Sequence, residues 1–389
     1  MRVTPDSLNL RHLRAAKAIV DSGSVSAAAR TVNLTQPAVT QAIAKLETQL
    51  GIPLFVRNPD GMSPTEAGLT LAARAAAALA LVASSRVTAP QMKAFIALAR
   101  AGSYAGAAEA TGLREPSLHR AVADLSVGLG QKLVERRGRG VALTARGAVY
   151  ARRFRLALAE LESAIAEIER LRGREVGRIA IGAMPLSRAQ LLPNAVGQFR
   201  RLHPDVDIAI IEGSHAELVG PLRDGDLDLM LGALRDTISS DLAQRALFVD
   251  RPVVLGRDHH PLLKSRNPTA RQLAAYPWIM PELHTPLRAQ WARMFERSGV
   301  VPPRVAIECG SVLVIRQLLM QGDYLTLLSP AQVALELQAK WLVKICAAPG
   351  DPTRTIGITS RADWRPTPLQ QALLDILEHE SLSIEQPND

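Results

Sequence analysis

Leu34-Thr35-Gln36-Pro37-Ala38-Val39-Thr40-Gln41 decides the reading of the first half of the chain, and its frame returns as Leu113-Arg114-Glu115-Pro116-Ser117-Leu118-His119-Arg120. In the first stretch Thr35 suits a helix N-cap, and Pro37 falls in the first turn, where a missing N–H costs little. The helix that follows places Val39, Ile43, Leu46 and Leu50 at spacings of 4, 3 and 4, which is one buried stripe. Gln36, Thr40, Gln41 and Lys45 fall off that stripe, on the exposed side. Upstream, a first helix runs roughly from Asn9 to Asp21 and Gly23 ends it; Ser24 caps a short helix through Ala27-Ala28-Ala29, and Asn33-Leu34 makes a tight turn. Downstream of Gly51, Leu54-Phe55-Val56-Arg57 and Met62-Ser63 flank Asn58-Pro59-Asp60-Gly61, a hairpin signal. Helix, turn, helix and hairpin make a winged helix-turn-helix.

The recurrence extends well beyond this helix. Residues from about 11 to 68 recur at an offset of 79 without a gap: Gly23-Ser24 with Gly102-Ser103, Leu50-Gly51 with Leu129-Gly130, Arg57 with Arg136, Thr65 with Thr144 and Gly68 with Gly147. Glycines and apolar frame repeat together, so the backbone plan repeats too. Two copies are too few for a solenoid and point to a duplicated small domain.

Such a domain meets DNA for a geometric reason. A helix fits the major groove, where Thr35, Gln36, Pro37, Ala38, Thr40, Gln41 and Lys45 at its start face base edges and phosphates. Arg57 on the wing then faces the backbone. One by one, such polar residues are more often the solvated face of a helix; the turn, the wing, the repeat and the local charge together favour DNA. Of the net charge of +9, residues 1–174 carry +11 and residues 175–389 carry −2, so the basic excess belongs to the duplicated part alone.

The second copy keeps the frame and changes the chemistry. Arg114, Ser117, His119 and Arg120 take the reading positions, and Asp124 replaces Lys45, which repels phosphate. Its wing is richer in charge, with Arg136, Arg137 and Arg139. The expectation is that copy one specifies and copy two anchors; a decayed duplicate kept for packing or dimerisation is the competing reading.

Several classes are excluded or disfavoured. The two cysteines, Cys309 and Cys346, have no metal-type spacing and form no disulfide framework, and the pair His259-His260 has no second cluster at ligand spacing. No metal and no cofactor are expected. There is no G-x-S-x-G elbow, phosphate loop or Gly-rich dinucleotide turn, so an enzyme is not expected. The N-terminus has no signal-peptide core, and the most apolar run, Ala75 to Ala83, is about half a bilayer span, so the chain reads as cytoplasmic with no membrane partner.

The order and spacing of Ser24-Val25-Ser26-Ala27-Ala28-Ala29, Leu34 through Gln41, Leu46-Glu47, Leu50-Gly51-Ile52-Pro53-Leu54-Phe55 and Thr65-Glu66-Ala67-Gly68 resemble the LysR-type transcriptional regulators. The resemblance covers almost the whole chain. It departs in the extra copy, since family members typically carry one such domain, and copy two holds the typical position directly before the linker helix. The domains expected are winged helix-turn-helix copies at 8–68 and 88–147, a connecting helix at 69–87, a linker or dimerisation helix at 148–174 and an α/β effector-binding domain at 175–385. Lobe one of that domain takes about 175–250 and 353–385, and lobe two about 251–352.

From Thr144 a long helix runs to about Leu171, with Phe154, Leu158, Leu161, Ile165 and Ile168 as a short coiled-coil seam. The resemblance implies that this helix pairs two subunits, in a homodimer or homotetramer; packing within the chain is the other reading of the same spacing.

From Gly177 strands alternate with helices. Arg178 to Gly182, Val206 to Ile211 and Leu227 to Leu231 read as strands of a parallel sheet, with helices from Ser187 to Leu202 and from Ala216 to Asp224 between them. Pro252 to Leu255 crosses into a second lobe, Thr355 to Ile358 returns, and a last helix runs from Pro368 to His379. The resemblance implies a two-lobed fold similar to periplasmic binding proteins, with a small effector in the cleft. Ligands of such sheets bind beyond the carboxyl ends of strands, so the candidates are Met184, Leu186, Ser187, Gly213, Ser214 and Ala233 in lobe one, and Pro281, Gly310 and Ser311 in lobe two. Ser187 and Ser311 each precede a helix, where a hydroxyl and free amides hold a carboxylate or hydroxyl; the plainer reading is an ordinary N-cap. Ile211-Glu212-Gly213-Ser214 with Met280-Pro281 resembles a subgroup that senses sugars or aromatic-acid metabolites. The remaining possibility is a solute-binding or enzymatic α/β domain fused to a DNA-binding module.

Overall fold

The computed structural model describes residues 3–58, 61–138, 140–187 and 189–385. The chain forms two compact units, one running to Gly177 and taking in Asp224–Asp226, the other holding Arg178–Arg223 and the chain from Leu227 on.

The first unit contains the repeat. Copy one comprises α1 (Leu10–Ser22), α2 (Val25–Thr31), α3 (Gln36–Leu50), β1 (Phe55–Asn58), β2 (Gly61–Pro64) and α4 (Glu66–Val82). Copy two comprises α5 (Ala89–Ala101), α6 (Tyr104–Thr111), α7 (Glu115–Leu129), β3 (Val134–Arg137), β4 (Gly140–Leu143) and α8 (Ala145–Leu171). Both wings are antiparallel hairpins, closing at Asn58↔Gly61 and Arg137↔Gly140.

The repeat holds at the level of single hydrogen bonds. Thr65 Oγ1 donates to Pro53 O at 2.8 Å and accepts from Gly68 N; Thr144 Oγ1 donates to Lys132 O at 2.7 Å and accepts from Gly147 N. Each threonine thereby ties the wing to the first turn of the next helix. A Cβ on Gly68 would lie 2.1 Å from Leu54 O, and one on Gly147 1.9 Å from Leu133 O. No side chain fits between a helix and a carbonyl at that distance, which is why glycine recurs there.

The two copies share one hydrophobic core, running from Leu8 to Ile168. Its centre is the packing of α4 on α8. The seam on α8 differs from the one read in the sequence: Phe154, Ala157, Leu161, Ala164 and Ile168 are fully buried, whereas Leu158 and Ile165 are only half-buried. Small residues win those positions because α4 offers Ala75 and Ala78, and two alanine-bearing faces approach closely. Arg74 of α4 is buried, with Nη1 3.2 Å from Glu160 Oε2 and Nη2 2.5 Å from Glu167 Oε1. Burial works against its charge, but the hydrogen bond and charge of Glu167, then Glu160, outweigh it and hold the guanidinium above its ordinary pKa. Arg153 of α8 donates to the carbonyls of Leu81 and Ala80 at 2.8 and 3.1 Å.

In the second unit, lobe one carries β5 (Gly177–Ala183), α9 (Leu191–Leu202), β6 (Val206–Glu212), α10 (His215–Asp224), β7 (Leu229–Ala233) and β8 (Leu242–Asp250). Lobe two carries β9 (Val253–Arg257), α11 (Ala270–Ala274), β10 (Trp278–Met280), α12 (Pro286–Arg297), β11 (Val305–Glu308), α13 (Val312–Gln321), β12 (Thr326–Leu328), α14 (Ala334–Gln338) and β13 (Leu342–Ala347). The chain returns through β14 (Arg354–Arg361) and ends in α15 (Pro368–Glu385), which packs on α9.

The lobe-one sheet has the order β6-β5-β7-β14-β8. It is mixed: β5 and β7 are parallel, as their alternation with helices implied, and the returning β14 is antiparallel to both β7 and β8. The reason is topological, since β14 enters from lobe two while β7 starts within lobe one. Around Trp278, Trp291 and Phe295, whose rings meet edge to face at 5.3–5.7 Å, lobe two builds its own core. The two crossing segments are clasped by a buried ion pair, Arg354 Nε to Asp250 Oδ2 at 2.6 Å.

Candidate nucleic-acid interface and effector domain

In copy one the start of α3 is fixed by short-range chemistry. Thr35 Oγ1 accepts from Ala38 N at 3.4 Å, and Gln36 Nε2 donates to Ser26 Oγ of α2 at 2.7 Å. The helix is also strapped to its wing: Glu47 Oε1 accepts from Leu54 N at 2.8 Å and Phe55 N at 3.2 Å. These bonds hold the exposed Arg57 of β1 in one geometry relative to the exposed Gln36, Pro37 and Gln41 and the half-buried Ala38 and Thr40. All six line a single open concavity of about 1240 Å³ between α2, α3 and the hairpin. Lys45 is exposed but sits outside the concavity, toward His12 of α1; burial and then the Lys45 charge hold that imidazole below its ordinary pKa. Ser24, Ser26, Asn58 and Met62 line the concavity as well, and the sequence reading missed them. Only the bond from Gln36 singles out Ser26, and no one-dimensional pattern carries it.

Copy two has the same backbone and a looser reading helix. Arg114 stands at the N-cap and makes no side-chain capping bond. Ser126 replaces Glu47, and its hydroxyl turns back to Val122 O at 2.9 Å, so the strap to the wing is gone. Ser117 and Arg120 are exposed, as is Asp124. The His119 ring stacks on Tyr104 of α6, with centroids 3.5 Å apart and 21° between planes. Arg136 and Arg137 are exposed on β3. Arg139 lies outside the described residues.

In lobe one the structure corrects the reading of Ser187. The helix begins at Leu191, so Ser187 is no N-cap; it lies fully buried in a turn, and its hydroxyl donates to Met184 O at 2.9 Å. The turn persists because Met184 N is drawn onto Leu231 O at 2.9 Å, which pulls the segment back against β7. Met184 and Leu186 are buried beside it. Gly213 N reaches Ala183 O at 3.3 Å, so the ends of β5 and β6 meet, with the half-buried Ala233 at the end of β7. Ser214 caps α10 with Glu217, whose Oε2 accepts from Ser214 N and Oγ at 2.8 Å each; these bonds hold the carboxylate below its usual range.

In lobe two, β10 and β11 pair in parallel at Met280↔Glu308, and Cys309 N donates to Met280 O at 2.8 Å. Pro281 and Gly310-Ser311 are thereby side by side beyond two strand ends. Ser311 is exposed at the start of α13 and makes no side-chain capping bond. Arg288, which the sequence reading missed, donates to Pro281 O at 3.2 Å and lies 5.0 Å over Trp291. A cation in the first turn of α12 opposes the helix dipole, and that was its only signal.

Residues 10–69 and 90–148 match the bacterial regulatory helix-turn-helix protein pattern of the lysR family, and residues 172–381 match the LysR substrate binding domain. The chain belongs to the LysR family. This LysR-family protein is a DNA-binding transcriptional regulator with an effector-binding domain, and not an enzyme. It is 32% identical over 380 residues to the HTH-type transcriptional regulator GalR of Pseudomonas putida, spanning 94% of this chain and 96% of that one. The unmatched share is too small for the loss of a 79-residue module, so that alignment runs through both copies. It is also 31% identical over 295 residues to the SDS degradation transcriptional activation protein of a Pseudomonas species, covering 74% of this chain and 94% of that one. The fold resembles that of the LysR family regulator CbnR complexed with its target DNA, at TM-score 0.55 and 17% identity over 75% of this chain and 99% of that one. Among the described residues no helix is long and apolar enough to cross a membrane, and no group of three or more His, Cys, Asp or Glu is placed to hold a metal ion.

Proposed function

We propose that copy one reads the bases of a double-stranded operator in the cytoplasm, that copy two anchors the same protein to DNA, and that a small effector between the two lobes modulates both. The observation that carries this is the joint concavity, in which Gln36, Thr40 and Gln41 of the reading helix face Arg57 of the wing. Gln at such a position pairs with adenine, and Arg on a wing meets phosphate. Thr35, Pro37 and Ala38 set the entry of the helix, and Lys45 adds attraction from its flank. In copy two Arg114, Ser117, His119 and Arg120 with Arg136, Arg137 and Arg139 contribute mainly sequence-independent attraction.

For the effector, the pair of strand ends carrying Pro281 and Gly310-Ser311 supports lobe two, and the meeting of Met184, Leu186, Gly213, Ser214 and Ala233 at three strand ends supports lobe one. Ser187 serves there as the brace of the loop. The effector is a sugar or an aromatic-acid metabolite, to which Ser311 offers an exposed hydroxyl with no capping bond. Assembly into a homodimer or homotetramer uses surfaces other than the α8 seam, which is filled within the chain. The test is a gel shift with the DNA upstream of the protein's own coding sequence across a salt series, with a metabolite screen by thermal shift. Specific, salt-sensitive binding altered by a metabolite supports the proposal; equal affinity for random DNA at every salt concentration refutes it.

A further inference from the structure

The pairing of α4 with α8 has the signature of a two-fold axis inside one chain. Across a two-fold, if residue i meets j′, then i′ meets j. With the primed copy 79 residues on, Arg74 meets Glu160, and its counterpart Arg153 meets Leu81, the counterpart of Glu160. Arg172, which follows α8, lies against Gly51 at the end of copy one's reading helix, so the trailing helix of copy two reaches the other copy. A single core locks the two copies together.

We infer that one chain is a complete two-headed DNA reader, whose partner is a duplex site with two unlike halves, arranged as inverted neighbours but not as a palindrome. Two-fold helix-turn-helix readers meet two half-sites about one helical turn apart, and the symmetry of the site mirrors that of the protein. Here the backbone is two-fold and the chemistry is not: Thr40 and Gln41 stand opposite His119 and Arg120, and Lys45 opposite Asp124. The copy-one half is therefore specified by bases, and the other half is held through phosphates. This rests on the reading of copy one proposed above. Fully buried Phe154, Leu161 and Ile168 leave the centre of that seam with no apolar surface for a second chain, so the two heads are matched inside the subunit.

The test uses the full-length protein and three short duplexes, each with one copy-one half-site. One carries an extra turn of DNA on one flank, one carries it on the opposite flank, and one carries none. Extension on one flank alone is expected to tighten binding by about tenfold or more. The variant Arg120→Ala/Arg136→Ala/Arg137→Ala, all exposed positions, is expected to abolish that difference, while Gln41→Ala weakens all three duplexes and keeps it. Equal gain on both flanks, no gain on either, or a gain that survives the triple substitution overturns the inference while leaving copy one as a reader. A Gln41→Ala variant that binds all three duplexes like the wild type overturns the copy-one reading, and this inference with it.

Discussion

Removing the guanidinium of Arg74 is the sharpest perturbation of the first unit. Arg74 is 6% exposed, and its partners Glu160 and Glu167 keep only 17% and 16% of their side-chain surface. At 3.2 Å and an effective dielectric of about 20, one such contact is worth about 5 kcal/mol of gross Coulomb energy. Desolvation consumes most of this in the intact cluster, so the net benefit of having it is small. Arg74→Ala removes the cation that faces two neighbouring carboxylates in a largely buried seam, a loss of about 3–5 kcal/mol. Since α4 and α8 join the copies, both winged domains should loosen together. Calorimetry of the full-length chain, with hydrogen exchange to assign the transition to residues 8–171, measures it. Arg74→Met with Glu160→Gln and Glu167→Gln, which removes charge from all three, should recover most of the loss. A fall below about 1 kcal/mol for Arg74→Ala, or a triple variant as unstable as the single one, would show that the Arg74 cluster does not join the two copies.

Three further outcomes follow from particular atoms. Gly147→Ala forces a Cβ onto Leu133 O and should cost at least about 3 kcal/mol, seen as loss of the copy-two wing in hydrogen exchange, while Gly23→Ala, with open space around it, costs only the strain of its left-handed φ. His260 is buried, its Nδ1 accepting from Leu262 N at 3.2 Å, and burial lowers its pKa against the pull of Asp323. The unfolded chain takes up that proton near pH 6.5 and the folded one only lower, so melts of the α/β domain should fall as pH drops below about 6.5, and less steeply in His260→Gln; an unchanged slope contradicts this. Ser311→Ala should weaken the effector response without lowering the melting temperature, because its hydroxyl caps nothing, and a destabilised variant with normal response would contradict the site.

The duplicated domain was legible because its determinants are local. Gly68 and Gly147 are required by carbonyls 14 residues earlier in each copy, Ser24 and Ser103 are caps, and the stripe on α3 needs no knowledge of its partners. What covers a stripe is not local, and the α8 seam showed this: spacing suggested Leu158 and Ile165, whereas the alanines of α4 selected Ala157 and Ala164. Ser187 was misplaced for a similar reason. Ser187 reads as a helix start, but the pull of Leu231 O on Met184 N holds Ser187 in a turn, and the helix begins only at Leu191. The direction of β14 depends on where the chain re-enters lobe one, which no window of sequence records.

The most direct test of base reading by copy one is titration of the wild type and Gln41→Ala against operator and random duplexes at one salt concentration. Gln41→Ala is expected to lose about 1–3 kcal/mol on the operator and nothing on random DNA, with Arg57→Ala weakening both alike. Equal loss on the two duplexes for Gln41→Ala would contradict base reading by copy one.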